Sequence, residues 1–248
     1  MNQSHIHALD NPIWSALTSR QAHLRLENGA ALRFDPEVAP FGALAALSEE
    51  ALLALALLAA PSSPVAFLSL APLPMIDRIA IEPVGTLCQM IAPSEPCSEI
   101  DGDVVRLGAA DVPEMLALTQ QTKPGPFGRR TIEMGNYIGI RHEGRLIAMA
   151  GERMKLDGHT EISAVCVDDA HRGKGLAGRL MNLLRKDMLQ RGELPFLHVF
   201  EHNHGAIALY GKPGFEMRQR FHLRTHFKMN MALLSRLAVQ SYCLRRSA

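Results

Sequence analysis

One continuous stretch constrains the fold of this 248-residue chain more than any other: the apolar run 160-TEISAVCV-167, the loop 171-HRGKGLAG-178 and the periodic segment 176-LAGRLMNLLRKDMLQR-191. The first part reads as a strand. The last reads as a helix, with Leu176, Leu180, Leu183, Leu184 and Met188 on one face and Arg179, Lys186 and Gln190 outside. Gly192 ends it, and 195-PFLHVF-200 reads as the next strand. A strand, a glycine-rich loop, a helix and a strand form a βαβ-like unit, which places the chain among mixed α/β folds.

The flanking signals extend that unit. Upstream come a strand at 104-VVRLG-108, a helix at 110-ADVPEMLALTQQT-122 and a hairpin over 137–154 about Glu143-Gly144. Downstream come a short helix at 205-GAIALYG-211 and a strand at 215-FEMRQRFHL-223. The order is β-α-β-β-β-α-β-α-β. The first hundred residues carry fewer signals: a short helix near Pro12, a hairpin about Asn28-Gly29, a helix opened by Ser48 with Glu49 and Glu50 in its first turn, and strands at 65–70 and 84–91. Residues 92–103, with two Pro, one Gly and four acids, read as a linker.

Charge divides the chain in the same place. Residues 1–100 hold four Arg, no Lys and ten Asp or Glu, a balance of −6, and residues 101–248 hold twenty-two Lys or Arg against fifteen acids, a balance of +7. This suggests two units, 1–100 and 101–248, packed against each other, or a basic half with a site for an acidic ligand. No Lys/Arg-rich run of a nucleic-acid protein is present. The start lacks a basic and an apolar region, and 51-ALLALALLAA-60 is too short for a bilayer, which takes about 20 residues. The four cysteines, Cys88, Cys97, Cys166 and Cys243, lack metal-ligand spacing, and a reduced cytoplasm fits them best.

The loop offers two anion cradles. Gly173, Gly175 and Gly178 match the dinucleotide pattern G-x-G-x-x-G, with Glu201 a candidate ribose acid. In that motif the first glycine follows its strand directly, whereas 168-DDAHR-172 intervenes here. The phosphate loop G-x-x-x-x-G-K-[ST] fails as well, with Asp168 and Gly175 standing where Gly and Ser/Thr are needed. The second cradle, R-x-x-G-x-A from Arg172 through Gly175 to Ala177, sits after an acidic turn and opens a helix, so free N–H groups face an anion with the positive helix end behind them.

That run, 165-VCVDDAHRGKGLAGRLM-181, resembles the acyl-coenzyme-A signature of the GNAT superfamily of N-acetyltransferases, and 203-NHGAIALYGKPGF-215 resembles its second signature. The resemblance covers about residues 104–223 and is similar, within the superfamily, to the C-terminal halves of glycine N-acyltransferase-like proteins. It implies an α/β (α+β) fold with a mixed central sheet, and the first half is expected to be a degenerate copy. It implies an acyl-CoA-dependent N-acyltransferase, with acetyl-CoA as donor, direct transfer to an amine and no metal. Backbone groups of Val165, Cys166 and Val167 would meet the pantetheine arm. Arg172, Gly173, Lys174, Gly175, Leu176 and Ala177 would wrap the pyrophosphate, and Asn203 would touch the arm.

Attack of a neutral amine on a thioester needs a base, donors for the carbonyl oxygen and an acid for the departing thiolate. Glu161 is the expected base, Glu152 its competitor, Tyr210 the acid, and a backbone N–H near Val167 the oxyanion donor. Cys166 reads as an inert buried thiol and Phe215 as core. His198, His202 and His204 cluster around Glu201 without metal-ligand geometry, and His198 is a candidate acceptor-site residue. Arg129 and Arg130, in 123-KPGPFGRR-130, are placed to meet a carboxylate on a small amine acceptor. A non-catalytic acyl-CoA sensor and a protein Lys or N-terminal acetyltransferase are the rival readings.

Overall fold

The computed structural model describes residues 7–59, 63–73, 79–93 and 103–229. The first half runs α1 (Pro12–Thr18), β1 (Arg25–Asn28), β2 (Ala31–Phe34), β3 (Gly42–Leu44), α2 (Glu49–Leu58), β4 (Phe67–Ser69) and β5 (Ile79–Ile91). Pro12 sits in the first turn of α1, where its missing N–H leaves no helical bond unmade. The hairpin is where Asn28-Gly29 puts it, with Asn28 facing Ala31 and Gly29 at φ 53°. β5 begins five residues before the expected strand, and most of the expected linker, residues 94–102, lies outside the described residues.

The second half follows the expected order: β6 (Val104–Leu107), α3 (Val112–Thr122), β7 (Tyr137–His142), β8 (Arg145–Leu156), β9 (His159–Val167), α4 (Leu176–Gln190), β10 (Leu194–Phe200), α5 (His204–Gly211) and β11 (Glu216–Met229). On α4 the inner face differs from the expected one. Leu180, Met181, Leu184, Arg185 and Met188 are buried, while Leu183 is half-buried. Arg185 can turn inward because Nη1 donates to the Pro213 carbonyl at 2.5 Å and its guanidinium lies 5.4 Å from the Phe215 ring centre.

Eight strands form one sheet in the order β4-β11-β5-β10-β9-β8-β7-β6, and β1-β2-β3 form a second. The two meet where Phe41 and Ala66 make a parallel bridge between the segments leading into β3 and β4. Outward from the central β11–β5 pair the pattern is the same both ways. β11 pairs antiparallel with β4, which meets the β3 side in parallel, and β3-β2-β1 are antiparallel. β5 pairs antiparallel with β10, which pairs in parallel with β9, and β9-β8-β7 are antiparallel. The final strand of each half is thus inserted beside the other half's strands, and β5 of the first half completes the second half's sheet.

Helices α4 and α3 cover opposite faces of the second half. α4 packs on Ala148, Ala150 and Ile162, and α3 packs on Met149, Ala164 and Cys166. α1 joins the halves, since Ile13, Ala16 and Leu17 share a core with Phe34, Phe41, Met154, Leu156 and Phe196. Opposite charges also meet between the halves, Asp35 with Arg130 at 2.8 Å and Asp10 with Arg218 at 2.7 Å. Among the described residues, no helix is long and apolar enough to cross a membrane.

Buried Gln21 makes the most specific link. Its Nε2 donates to the carbonyls of Met134 (2.9 Å) and Arg153 (2.7 Å), and its Oε1 accepts from Lys155 N–H (3.1 Å). It thereby fills the irregularity of the β8–β9 ladder between Glu152 and Lys155. Gln21→Ala would leave those groups buried and unpaired, at about 1–3 kcal/mol each before relaxation. Thermal unfolding is expected to show Tm lowered by about 5–15 °C, and an unchanged Tm would mean the link is idle.

Candidate active site

A wedge opens between β9 and β10. Their parallel pairing covers Leu194↔His159, Pro195↔Thr160 and Phe196↔Glu161, and stops there. Beyond it β10 stays on β5, through Leu197↔Met90 to Phe200↔Leu87, and β9 stays on β8, through Ser163↔Gly151 to Val167↔Ala148. The facing edges of 162–167 and 197–200 are therefore unpaired with each other, which leaves backbone groups on both edges open to an extended polar partner. Val165, Cys166 and Val167 lie on this edge.

The edge carries a feature that sequence reading did not reveal. Ala164 has φ 52°, a left-handed conformation that costs a non-glycine residue roughly 1–2 kcal/mol. The register skips there, so that Ala164 and Val165 oppose the single residue Ala150. Such a bulge re-aims backbone groups at one point on a strand. Nothing in an apolar Ser-Ala-Val-Cys run marks it.

At the top of the wedge the chain turns into the glycine-rich loop 171–178. The Asp168 carboxylate accepts from Ala170 N–H at 3.0 Å and also takes Arg145, closing the acidic turn. Gly173 (φ 78°) and Gly175 (φ 75°) then adopt conformations open to glycine. Gly175 is the N-cap of α4 and provides no side-chain cap, and the helix's hydrogen bonds begin with Arg179 N–H to the Gly175 carbonyl at 3.1 Å. The N–H groups of the first turn are thus left for an anion, with the helix dipole behind them. Lys174 is exposed, and Arg172 is exposed and paired with Asp169 at 2.7 Å. A Cβ on Gly178 would meet nothing within 4 Å, so this glycine lacks the close-packing role of the third glycine in a dinucleotide motif.

Neither expected base is placed as a base. Glu161 is fully buried at the foot of the wedge, with Oε2 on Arg153 Nε (2.7 Å) and Oε1 on Arg153 Nη2 (2.6 Å) and His198 Nδ1 (2.7 Å). Burial alone would push its carboxyl up, but Arg153 and His198 outweigh it and hold it down at about 2. Glu152 is buried against Lys155 (2.5 Å), Arg191 (2.7 Å) and the Asn136 N–H (3.1 Å). Burial opposes its charge, and these partners nonetheless hold it below the usual carboxylate range. Arg191 follows the C-terminus of α4, so Glu152 is tied to the end of that helix opposite the glycine-rich loop.

His198 is equally committed. Gln89 takes Arg218 Nη1 on its Oε1 (2.9 Å), and its Nε2 donates to the Leu9 carbonyl (3.0 Å), which fixes the orientation of the amide. That same Nε2 faces His198 Nε2 at 3.2 Å, so the imidazole accepts there and carries its proton on Nδ1, toward Glu161. Both ring nitrogens are occupied. Glu161 and His198 are 37 residues apart, and neither local period hints at the partnership.

Tyr210 is half-buried on α5, 6.3 Å from Phe215 between ring centres, and burial raises its hydroxyl above the ordinary range. The hydroxyl makes no hydrogen bond among the described residues. Asn203 spends Oδ1 on the cap of α5, accepting from Ala206 N–H at 3.0 Å, which leaves its amide nitrogen. Burial pushes the Cys166 thiol up to about 11, so it stays a thiol. Phe215 is core. His202 stacks on Phe200, and among the described residues no group of three metal-ligating side chains assembles. Arg130 is held by Glu133 (2.7 Å) and Asp35 (2.8 Å) and is not free for an acceptor, whereas Arg129 is exposed with no ion-pair partner among the described residues.

Comparison with known proteins gives the same class. The FR47-like protein family matches residues 137–223. A crystal structure from Novosphingobium aromaticivorans, described as an acetyltransferase of the GNAT family, superposes with a TM-score of 0.83 at 36% identity, covering 91% of this chain and 100% of that one. The N-alpha-acetyltransferase RimI of Mycobacterium tuberculosis is 32% identical over 108 residues, 40% of this chain and 66% of that protein. An uncharacterized N-acetyltransferase, YobR of Bacillus subtilis, is 36% identical over 28% of each chain. The chain spans about two thirds or less of the length of the curated relatives it matches. It belongs to the GNAT family of acetyltransferases.

Proposed function

We propose that this chain transfers an acyl group, acetyl in the first instance, from acyl-CoA directly to an amine. The observation that carries the reading is the unpaired wedge opening onto an uncapped α4 flanked by two left-handed glycines. Backbone N–H groups from Arg172 to Ala177 receive the pyrophosphate, with Lys174 and Arg172 adding charge. The free edge at Val165, Cys166 and Val167 pairs with the arm's amides, and the Asn203 amide nitrogen reaches the arm. In the reaction the amine nitrogen bonds to the thioester carbon, a backbone N–H of the bulged segment or Val167 holds the oxyanion, and the C–S bond breaks as Tyr210 gives its proton to the sulfur.

The amine gives one proton to water before attack and a second from the tetrahedral intermediate, and water reprotonates Tyr210, because Glu161 is held too weakly basic and the oxygens of Glu161 and Glu152 are already taken. kcat/KM is therefore expected to rise tenfold per pH unit until the acceptor amine's own pKa, with the same shape in Glu161→Gln measured below its melting range. A plateau near neutrality that vanishes in this variant would return Glu161 to the role of base. Tyr210→Phe is expected to lower kcat by about 10²-fold with KM for acyl-CoA within twofold, and an unchanged kcat would remove the acid.

We favour a small amine acceptor. The loop binds the first half, Arg130 N–H donating to the Glu37 carbonyl at 3.3 Å and Thr131 Oγ1 to the Val38 carbonyl at 2.6 Å, which supports a cleft walled on two sides. Arg129 is the cation left for an acceptor carboxylate. The relative RimI, an N-alpha-acetyltransferase, supports a peptide N-terminus as the second reading. Thiol release with amino acids against short peptides separates the two. Buried free thiols at Cys88 and Cys166 suit a reducing cytoplasm.

The first half is, in this reading, a degenerate copy of the second with the last strands exchanged, supported by matched element order and pairing. It has lost the anion site. Ser48 Oγ caps α2 by accepting from Ala51 N–H at 3.1 Å, and Glu49 and Glu50 fill the first turn with negative charge.

A further inference from the structure

We infer that His198 and Glu161 form the floor of the wedge and limit the donor to short acyl groups, a specificity that rests on the acyl-CoA reading above. The anion loop lies at the C-terminal end of β9, so an arm anchored there runs back down the unpaired edge toward the last parallel pair, Phe196↔Glu161. The acyl chain beyond the thioester points toward what lies at that foot.

What lies there is closed and fully committed. The side chains of Glu161 and His198 are 0% and 2% exposed and are joined at 2.7 Å across the two strands. Phe196 and Phe221 each meet the imidazole in a T-shaped contact, with ring centres 5.7 Å away. Arg153 backs the carboxylate and is itself covered by Phe41, 4.9 Å from the ring centre. A longer chain would have to part a buried cluster whose polar atoms are already bonded to one another and to Gln89. An acetyl group does not reach that far. Pockets separate donors by about 10–200-fold per methylene, so a rigid floor gives a steep cutoff.

The test compares turnover of acetyl-, butyryl- and hexanoyl-CoA by the wild type, His198→Asn and His198→Gln. Asn places its amide N–H where Nδ1 stands, keeping the bond to Glu161 while removing the outer half of the ring. Gln keeps the floor filled. The expected result is a wild-type kcat/KM about 100-fold or more lower for hexanoyl- than for acetyl-CoA. His198→Asn should narrow that ratio by about tenfold, and His198→Gln should leave it within about threefold, with free CoA affinity unchanged in both. Equal wild-type turnover of acetyl and hexanoyl donors would overturn the inference, even with both variants unfolded. So would an Asn variant that slows every donor by the same factor. Failure of the wild type to bind free CoA would instead remove the acyltransferase reading, and this inference with it.

Discussion

Gly175→Glu is expected to weaken acetyl-CoA binding by about 100-fold or more while shifting Tm by only a few degrees. Two effects act together. A side chain at φ 75° is strained by roughly 1–2 kcal/mol, which disturbs the loop whose N–H groups point at the pyrophosphate. The added carboxylate also occupies the positive end of α4, as Glu49 does on α2, and repels the phosphates. Packing is not lost, because a Cβ at Gly175 meets nothing within 4 Å. Gly178→Ala is the matched control. It also meets open space, lies inside the helix, and is expected to leave binding unchanged and stability slightly raised. Titration calorimetry decides between the readings: a Gly178→Ala variant that loses ligand as fully as Gly175→Glu would restore the dinucleotide interpretation, in which both glycines are needed.

The largest expected loss of stability belongs to Glu161→Gln. It leaves the Arg153 guanidinium in a buried site without its counter-charge, and breaking such a pair costs about 3–5 kcal/mol. For a chain of this size that lowers Tm by roughly 6–20 °C. The pH dependence follows from the same cluster. The folded-state pKa of Glu161 is depressed from 4.5 to about 2, so its contribution is complete above pH 4.5 and is lost as pH falls toward 2. Glu193, held at about 2 against the pull of burial by Arg191, Thr160 and Arg20, shares that window. Acid unfolding of the wild type is expected to be steep there and shallower in Glu161→Gln. Identical acid profiles would show that the cluster does not stabilise the native state.

The parts legible in the sequence are those encoded locally. Gly173 and Gly175 announce a loop that needs positive φ, the period of Leu180, Leu184 and Met188 announces α4, and Asn28-Gly29 announces a hairpin. The parts hidden are non-local. Nothing within Ile79–Ile91 says that β5 will lie between β10 and β11, because strand order is set by pairing across more than a hundred residues. Glu161 reads as a candidate base because a carboxylate on a strand looks the same whether it faces substrate or Arg153. Only the partners at 2.6–2.7 Å distinguish the two. Arg185 turns inward for a similar reason: its acceptor, Pro213, is 28 residues away.

Calorimetric titration of the full chain with acetyl-CoA, and separately with NAD, tests the central claim most directly. One acetyl-CoA site and no heat from NAD is the expected result, and it would assign the loop from Arg172 to Ala177 its pyrophosphate. Binding of NAD, or no binding of acetyl-CoA, would contradict the account of the wedge and of the chemistry built upon it.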